Sequence, residues 1–262
     1  MTSTSSRPVV YSTRHAAEIE DYPIEDIDRD PLFSEVFALS RQYTMTSKEV
    51  MYALYQAVRY VHDRGIPGDF VECGVWRGGS SLLAATTFLQ LEAVQPTRAP
   101  GFFRRLRPAQ DRRFWLYDTY EGMTVPTAED VDLTGGRATE YIERYSDDGK
   151  WCYADLADVR STLLGNGIPE DRVEFVKGDV LETLKTRLPR QAAILRLDTD
   201  WYESTKFELE TLYPRLATGG VLIIDDYGHW QGSRKAVDEF FARRPSLLLN
   251  RTSYAVRTAV KI

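Results

Sequence analysis

The sequence has few cysteines, no long apolar run and no excess of positive charge. Only two of its 262 residues are cysteine, Cys73 and Cys152. That number is too small for a disulfide scaffold, so we expect a reducing, cytoplasmic environment. No apolar run approaches the roughly 20 residues of a membrane span, and the first residues lack the apolar core of a secretory signal. The net charge of −6 disfavours nucleic acid as a partner.

What the sequence does contain is an alternation of apolar runs and helical stretches, in a chain long enough for one large α/β domain. Five runs are typical of buried strands: DFVECG, RFWLYD, VEFVKGD, AAILRLD and GGVLIID. Helical stretches separate most of them, which predicts a parallel sheet with helices on both faces. An amphipathic helix, KEVMYALYQAVRYVHDR, precedes the first strand. The closing segment LLLNRTSYAVRTAVKI predicts a C-terminal β-hairpin at the edge of the sheet.

Two segments interrupt this alternation within a predicted main domain of residues 41–262, which follows an N-terminal extension of residues 1–40. Residues 92–113 contain six arginines and three prolines and predict a mobile surface loop. Residues 125–155 follow the carboxyl end of the second strand and contain Tyr141, Tyr145, Trp151 and Tyr153. Ligands of open parallel sheets lie at that edge, so we interpret this aromatic segment as a substrate lid.

A glycine-rich turn follows the first predicted strand, in DFVECGVWRGGSS. Glu72 ends the strand, Gly74 opens the turn, and a helix begins near Ser80. Such a turn lets the backbone approach a nucleotide-like ligand closely. The spacing is not GxGxxG, which disfavours a nicotinamide-dependent dehydrogenase. An acid before the glycines suits an ammonium group or a polar ligand edge better than a phosphate.

Single acids end the next two predicted strands. Asp118 ends the second strand, where it is placed to accept hydrogen bonds from ribose hydroxyls, and Asp179 ends the third, near the expected position of an adenine amino group. Each of them is also suited to an N-cap or a turn, and that alternative stays open for either residue.

Four acids follow the last two predicted parallel strands. Asp198 and Asp200 lie in LRLDTDWYEST, and Asp225 and Asp226 end GGVLIIDD. Hard carboxylate oxygens at one sheet edge are typical of a Mg²⁺ site. The alternative, that adjacent aspartates only cap the following helices, is weaker because capping uses one Asp per helix.

Several long motifs resemble the macrocin O-methyltransferase family of antibiotic-sugar methyltransferases. They are YTMTSKEVMYALYQAVRYVHDRGIPG, DFVECGVWRGGSS, LDTDWYEST and LYPRLATGGVLIIDDYG, within residues 40–243. The resemblance implies a class I, Rossmann-like S-adenosylmethionine-dependent methyltransferase fold and a Mg²⁺ requirement. Independently of the resemblance, we expect a homodimer. It implies methyl transfer to a deoxysugar hydroxyl of a glycosylated antibiotic precursor, a small-molecule glycoside. The implied acceptor is the noviose 4-hydroxyl of an aminocoumarin, while another macrolide-type sugar or a phenol stays open as the alternative.

The chemistry of the residues gives each site residue an expected role in such a reaction. Asp198, Asp225 and Asp226 are expected to hold Mg²⁺, and Asp200 is expected to act as the general base. Cofactor contacts are expected from Thr46 in the first motif, and from Glu72, Gly74, Ser80, Asp118 and Asp179. His229 competes with Asp200 because histidine titrates near neutrality. Relatives with a histidine base carry it three residues after the first metal aspartate, where this chain has Trp201.

Two other functions fit part of the pattern. LRLDTDWYEST with a later pair of aspartates superficially resembles haloacid dehalogenase phosphatases, but these have Thr or Val four residues after the first aspartate, where this chain has Tyr202. A non-catalytic nucleotide sensor of the same fold would need neither the metal aspartates nor Asp200. Methyl transfer that depends on Mg²⁺ separates all three functions.

Overall fold

The computed structural model describes residues 24–93, 111–146 and 150–262. Its strands are β1 (Asp69–Cys73), β2 (Phe114–Asp118), β3 (Val173–Lys177), β4 (Ala192–Leu197), β5 (Leu216–Ile224), β6 (Asn250–Arg251) and β7 (Arg257–Val260). Its helices are α1 (Glu25–Asp28), α2 (Pro31–Ser40), α3 (Lys48–Arg64), α4 (Gly79–Ala93), α5 (Ala138–Tyr145), α6 (Leu156–Gly165), α7 (Val180–Thr183), α8 (Tyr202–Leu212) and α9 (Gln231–Ala242).

The seven strands form one sheet in the order β3-β2-β1-β4-β5-β7-β6. The first five are parallel, and β7 runs antiparallel to β5 and pairs with β6. This confirms the predicted α/β sheet and its C-terminal hairpin. In the register, Cys73 pairs with Leu197 and Leu197 pairs with Ile224. The three strands therefore end side by side, and the acids that follow β4 and β5 lie next to the turn that follows β1.

Apolar side chains cover both faces of the sheet. One face packs against α2, α3, α4 and α6, through residues such as Val58 and Leu83, and the other against α8 and α9, through Leu209 and Phe240. Every residue of β4 is buried, as expected for a central parallel strand. Arg196 is the one charged residue of that strand, and its position at the carboxyl end matters for the site.

Part of the predicted N-terminal extension shares the main core. Asp30 accepts hydrogen bonds from the backbone N–H groups of Leu32 and Phe33, which caps α2. Phe33 is fully buried, and its ring lies 5.4 Å from that of Tyr55 on α3. The same Asp30 binds Arg59 at 2.9 Å. Residues 24–40 are thus packed on the sheet's helices, and the division at residue 40 stays a prediction about domain organisation.

The predicted arginine-rich loop is described only at its ends. Residues 94–110 lie outside the described residues, so its mobility stays a prediction. Arg112, near its end, is buried and donates to the carbonyl groups of Ile66 and Gly68. Among the described residues, no helix has both the length and the apolar character needed to cross a membrane.

Candidate active site

The glycine turn after β1 lies directly against the turn after β4. Gly74 has a left-handed φ of 82°, and a Cβ atom there would lie 1.8 Å from the carbonyl oxygen of Asp198. The N–H of Asp198 donates to the carbonyl of Cys73 at 2.8 Å. Only glycine permits this approach, because any side chain would collide with the backbone that carries the first aspartate.

Asp118 holds the glycine turn in place. Its carboxylate accepts hydrogen bonds from the backbone N–H groups of Val75 at 2.7 Å, Trp76 at 3.1 Å and Tyr120 at 2.7 Å. Burial raises the pKa of Asp118, while these bonds oppose the rise. Because the carboxylate already binds protein N–H groups, its predicted contact with ribose stays a prediction.

Asp179 caps a helix, the alternative that the sequence left open. Its side chain accepts the N–H of Leu181 at 2.9 Å at the start of α7. It is not among the residues that line the central cavity. Its adenine contact therefore stays a prediction, with a structural role now visible beside it.

Arg196 joins carboxylates from three strands. Its side chain is 2% exposed, and Nη1 donates to Glu72 at 2.7 Å and to Asp198 at 2.5 Å. Nη2 donates to Asp225 at 2.7 Å. Glu72 also accepts from Ser81 and is fully buried, which raises its pKa despite the nearby guanidinium. Glu72 thus reaches the site through Arg196, and its predicted direct contact with the cofactor stays a prediction.

Three aspartates form a compact oxygen cluster. Asp198, Asp200 and Asp226 each place a carboxylate oxygen within 4.8 Å of the other two. Burial raises the pKa of all three, and repulsion between neighbouring carboxylates raises them further. Asp226 Oδ2 is buried and has no hydrogen-bond partner among the described residues. A divalent cation fits this arrangement, because it would bind the orphaned oxygen and relieve the repulsion.

The compact cluster differs in one member from the predicted metal set. Asp225 directs Oδ1 to Arg196, whereas Asp200 stands beside Asp198 and Asp226. None of these aspartates caps the next helix, since neither α8 nor α9 has a side-chain hydrogen bond from its N-cap residue. Both ligand sets stay predictions, and Asp198 and Asp226 belong to both.

Asp200 occupies a left-handed backbone position with φ of 65°, a conformation that Asp and Asn tolerate better than most residues. Burial, together with the charge of Asp198, raises its pKa to about 8. Hydrogen bonds with Asp226 and Trp230 oppose that rise. The carboxylate is thus a stronger base than an ordinary aspartate, which suits its predicted role in proton removal.

The acids open into a cavity of about 320 Å³. Predicted site residues that line it are Thr46, Ser80, Asp198, Asp200, Asp225, Asp226 and His229, while Glu72, Gly74, Asp118 and Asp179 lie outside the lining. Aromatic walls come from Tyr43, Trp76, Trp151, Trp230 and Tyr254. The cavity combines a polar floor with apolar walls, which is typical of small-molecule sites.

The predicted lid packs on tryptophans that follow the acidic turns. The ring centres of the lid residues Tyr141 and Trp151 lie 5.5 and 6.4 Å from that of Trp230. The ring centre of Trp230 lies 5.1 Å from that of Trp201. Tyr153 is 38% exposed and Trp151 lines the cavity. The lid therefore forms a wall of the cavity, and its closing over a substrate stays a prediction.

His229 lies on the same cavity as Asp200. Its Nδ1 is 3.3 Å from the hydroxyl of Tyr254, and its ring stands edge-on to Trp230. Burial lowers the pKa of its imidazole, which makes the ring a weaker base than an ordinary histidine. The choice of base between Asp200 and His229 stays open in this geometry.

Sequence reasoning missed Arg196 as a site residue. An arginine inside the apolar run AAILRLD, two residues before Asp198, was the available signal, because a charge in a buried strand needs partners. Trp76 was also missed, although it lies in the glycine motif and lines the cavity.

Comparison with known proteins identifies the family of the chain. The family model described as macrocin-O-methyltransferase (TylF) matches residues 21–246. The chain belongs to the macrocin O-methyltransferase family. It is therefore an O-methyltransferase, and the resemblance seen in the sequence motifs is confirmed.

Individual members of the macrocin O-methyltransferase family are similar over most of the chain. An enzyme of Streptomyces olivaceus named 8-demethyl-8-(2,3-dimethoxy-alpha-L-rhamnosyl)-tetracenomycin-C 4'-O-methyltransferase is 35% identical over 201 residues, 77% of this chain and 68% of the relative. The demethyldecarbamoylnovobiocin O-methyltransferase of Streptomyces niveus is 30% identical over the same shares of the two chains. The solved structure of the O-methyltransferase NovP aligns with a TM-score of 0.65 and 27% identity over 87% of each chain. This likeness confirms the predicted class I methyltransferase fold.

Proposed function

We propose that the protein transfers the methyl group of S-adenosylmethionine to a deoxysugar hydroxyl of a glycosylated antibiotic precursor, with Mg²⁺ as the metal. The observation that carries the proposal is that the glycine turn and the aspartate cluster lie next to each other at one cavity. The glycine turn that suits a nucleotide-like donor packs directly against the backbone of Asp198, since a Cβ atom added to Gly74 would collide with the Asp198 carbonyl group. The carboxylate cluster that suits a cation begins at that same residue.

The donor is proposed to lie along the glycine turn. Thr46 and Ser80 line the cavity on that side, and Trp76 follows the turn. Thr46 also lies 3.4 Å from Arg196. The aspartates that line the same cavity suit the binding of a sulfonium centre, because it carries a positive charge.

Asp198, Asp225 and Asp226 are proposed to hold Mg²⁺, and Asp200 is proposed to stand beside the ion as a carboxylate that does not bind it. When bound, Mg²⁺ supplies a positive charge that orients a sugar hydroxyl and lowers its pKa by several units. Arg196 keeps Asp198 and Asp225 oriented by binding one oxygen of each. This leaves the second oxygen of each carboxylate for another partner.

Asp200 is proposed to accept the proton of the acceptor hydroxyl. The hydroxyl oxygen forms a bond to the methyl carbon while the carbon–sulfur bond breaks, and the sulfur keeps the bonding electron pair. S-adenosylhomocysteine leaves uncharged, and the proton ends on the carboxylate. The raised pKa of Asp200, about 8, favours this transfer because the base strength approaches the working pH.

The proposed acceptor is the noviose 4-hydroxyl of an aminocoumarin glycoside. A relative that acts on demethyldecarbamoylnovobiocin supports this choice. A rhamnosyl 4'-hydroxyl is the second candidate, since the 35% identical relative is named for that position. The aromatic walls suit the apolar face of a sugar or a planar aglycone. A homodimer and a cytoplasmic location also belong to the proposal.

The test is a reaction of the purified protein with S-adenosylmethionine labelled in its methyl group, Mg²⁺ and a panel of glycosides. The panel contains the noviosyl aminocoumarin, the rhamnosyl tetracenomycin type, the corresponding aglycones and a phenol. We expect one labelled methyl on the noviosyl 4-hydroxyl, located by NMR, and none on the aglycones. Methylation of the phenol or of an aglycone alone would contradict the sugar assignment.

A further inference from the structure

A segment made of Thr124 and the first part of the predicted lid ties the two acidic turns together. We call residues 124–138 the strap. Trp201, which follows Asp200, donates its indole N–H to the carbonyl of Thr124 at 3.1 Å. On the other side, Gln231 donates its backbone N–H to the carbonyl of Val131 at 2.8 Å. The strap is thus bonded to the residue after one acidic turn and to the first residue of the helix after the other.

Further contacts bind the strap to the turn before α9. The side chain of Gln231 donates to the carbonyl of Asp132 at 2.8 Å, and Asp132 forms an isolated β-bridge with Trp230. Asp132 itself accepts bonds from Thr134 and Gly136, so the strap is also closed on itself. The bonds from Trp201 and Gln231 all end on backbone carbonyl groups of the strap, which makes this segment part of the site's frame.

Asp130 is the buried carboxylate at the centre of these contacts. It is 1% exposed, and Oδ1 accepts the backbone N–H of Tyr202, the first residue of α8, at 2.7 Å. Oδ2 accepts the N–H of Thr127 at 2.6 Å and its hydroxyl at 2.9 Å. A carboxylate 72 residues earlier in the chain therefore serves the N-terminus of α8, whose own N-cap residue, Trp201, makes no side-chain cap bond.

Asp130 also touches the start of α9. A Cβ atom added to Gly232 would lie 2.1 Å from Asp130 Oδ1 and 3.1 Å from the nitrogen of Tyr202. The carboxylate is therefore wedged between the first turns of α8 and α9, the helices that follow the two acidic turns. Gly232 is the residue that leaves it room.

We propose that Asp130 is a positioning residue that sets the spacing between Asp200 and Asp226. The inference rests on the proposed function, because it concerns the geometry of the metal and base cluster. Sheet pairing already fixes the first residues beyond the strands, since Asp225 donates its N–H to the carbonyl of Leu197. Asp200 lies two residues after Asp198, beyond the end of β4 at Leu197, and its backbone has a left-handed φ of 65°. The strap supplies the missing restraint through Trp201 and Tyr202.

The primary test compares metal binding in Asp130→Ala, Asp130→Asn and the wild type. Mn²⁺ binding is followed by electron paramagnetic resonance, and S-adenosylmethionine binding by calorimetry. We expect Asp130→Ala to weaken Mn²⁺ binding about 10-fold or more, the range typical of groups that orient metal ligands, with donor affinity unchanged. Asp130→Asn keeps an acceptor for Tyr202 and should restore most of the Mn²⁺ affinity.

Two matched controls separate positioning from stability. Asp30 caps α2 by accepting the N–H groups of Leu32 and Phe33 and does not line the cavity, so Asp30→Ala should lower Tm without changing Mn²⁺ binding. Gly232→Ala should weaken Mn²⁺ binding by pushing Asp130 away. Gly165→Ala, in a helix with nothing within 4 Å of its added Cβ, should not.

Wild-type protein that binds no Mn²⁺ would overturn the proposed function and this role with it. Wild-type binding that Asp130→Ala and Gly232→Ala both leave unchanged would overturn the positioning role alone. Equal losses of Mn²⁺ affinity in Asp30→Ala and Asp130→Ala would also overturn it, because a general loss of stability would then explain the effect. If Asp130→Ala does not fold, Mn²⁺ binding to Gly232→Ala, which displaces the Asp130 side chain, decides the question.

Discussion

Replacing Asp200 with asparagine isolates proton acceptance from every other role of this residue. Asparagine tolerates the left-handed φ of 65° and keeps an acceptor for the hydrogen bond that Asp200 shares with Trp230. The fold should therefore persist, while the group that takes the proton is lost. We expect kcat to fall by about 10² to 10⁴, the usual contribution of general base catalysis. This corresponds to about 3 to 5 kcal/mol in the barrier.

The assay is kcat as a function of pH and of Mg²⁺ concentration, with His229→Asn as the matched control on the same cavity. The wild-type kcat should rise with pH as Asp200 loses its proton, and this rise should vanish in Asp200→Asn. His229→Asn should keep both the rise and most of the rate. If excess Mg²⁺ restores Asp200→Asn, the residue is a metal ligand. A larger kcat loss in His229→Asn than in Asp200→Asn would refute the reasoning.

Three further predictions concern stability and the donor. Arg196→Met should lower the free energy of unfolding by about 3 to 5 kcal/mol, the usual cost of leaving buried carboxylates without their cation, as measured by urea unfolding. Glu208 is fully buried and accepts from Thr199 at 2.9 Å, and burial raises its pKa to about 8. The buried carboxyl group favours its neutral form, so the stability it gives the fold is fully present below about pH 4.5 and is lost as the pH rises towards 8. The wild type should therefore lose stability between pH 4.5 and 7, and Glu208→Gln should remove about 3 kcal/mol of that loss. A loss of stability between pH 4.5 and 7 that is as large in Glu208→Gln as in the wild type would contradict the raised pKa of Glu208. Glu72→Ala and Asp118→Ala should each weaken S-adenosylmethionine binding by about 1.5 to 3 kcal/mol, and calorimetry that finds unchanged affinity in both would remove them from the donor site.

The sequence was sufficient to predict the strands and the edge of the sheet where the acids gather. Apolar runs of strand length ended at Glu72, Asp118 and Asp198, and the carboxyl ends of parallel strands share one edge. The directions of the side chains were not predictable in the same way. Asp118 turns to the N–H groups of Val75 and Trp76, because the glycine turn folds back over β2.

The other site contacts that the sequence did not predict join distant parts of the chain. Arg196 binds Glu72, 124 residues away, only because β1 and β4 are neighbours in the sheet. Asp130 reaches Tyr202 only because the predicted lid crosses the start of α8. Neither partner is marked by local spacing, since both pairings depend on strand order and on the path of a long connection.

The most direct test of the account is methyl transfer measured before and after removal of divalent metal, with donor binding followed on the same samples. We expect chelation by EDTA to abolish transfer to the noviosyl glycoside and added Mg²⁺ to restore it, while S-adenosylmethionine affinity stays nearly constant. Full transfer after exhaustive chelation would contradict the metal role of the aspartate cluster and with it the central claim.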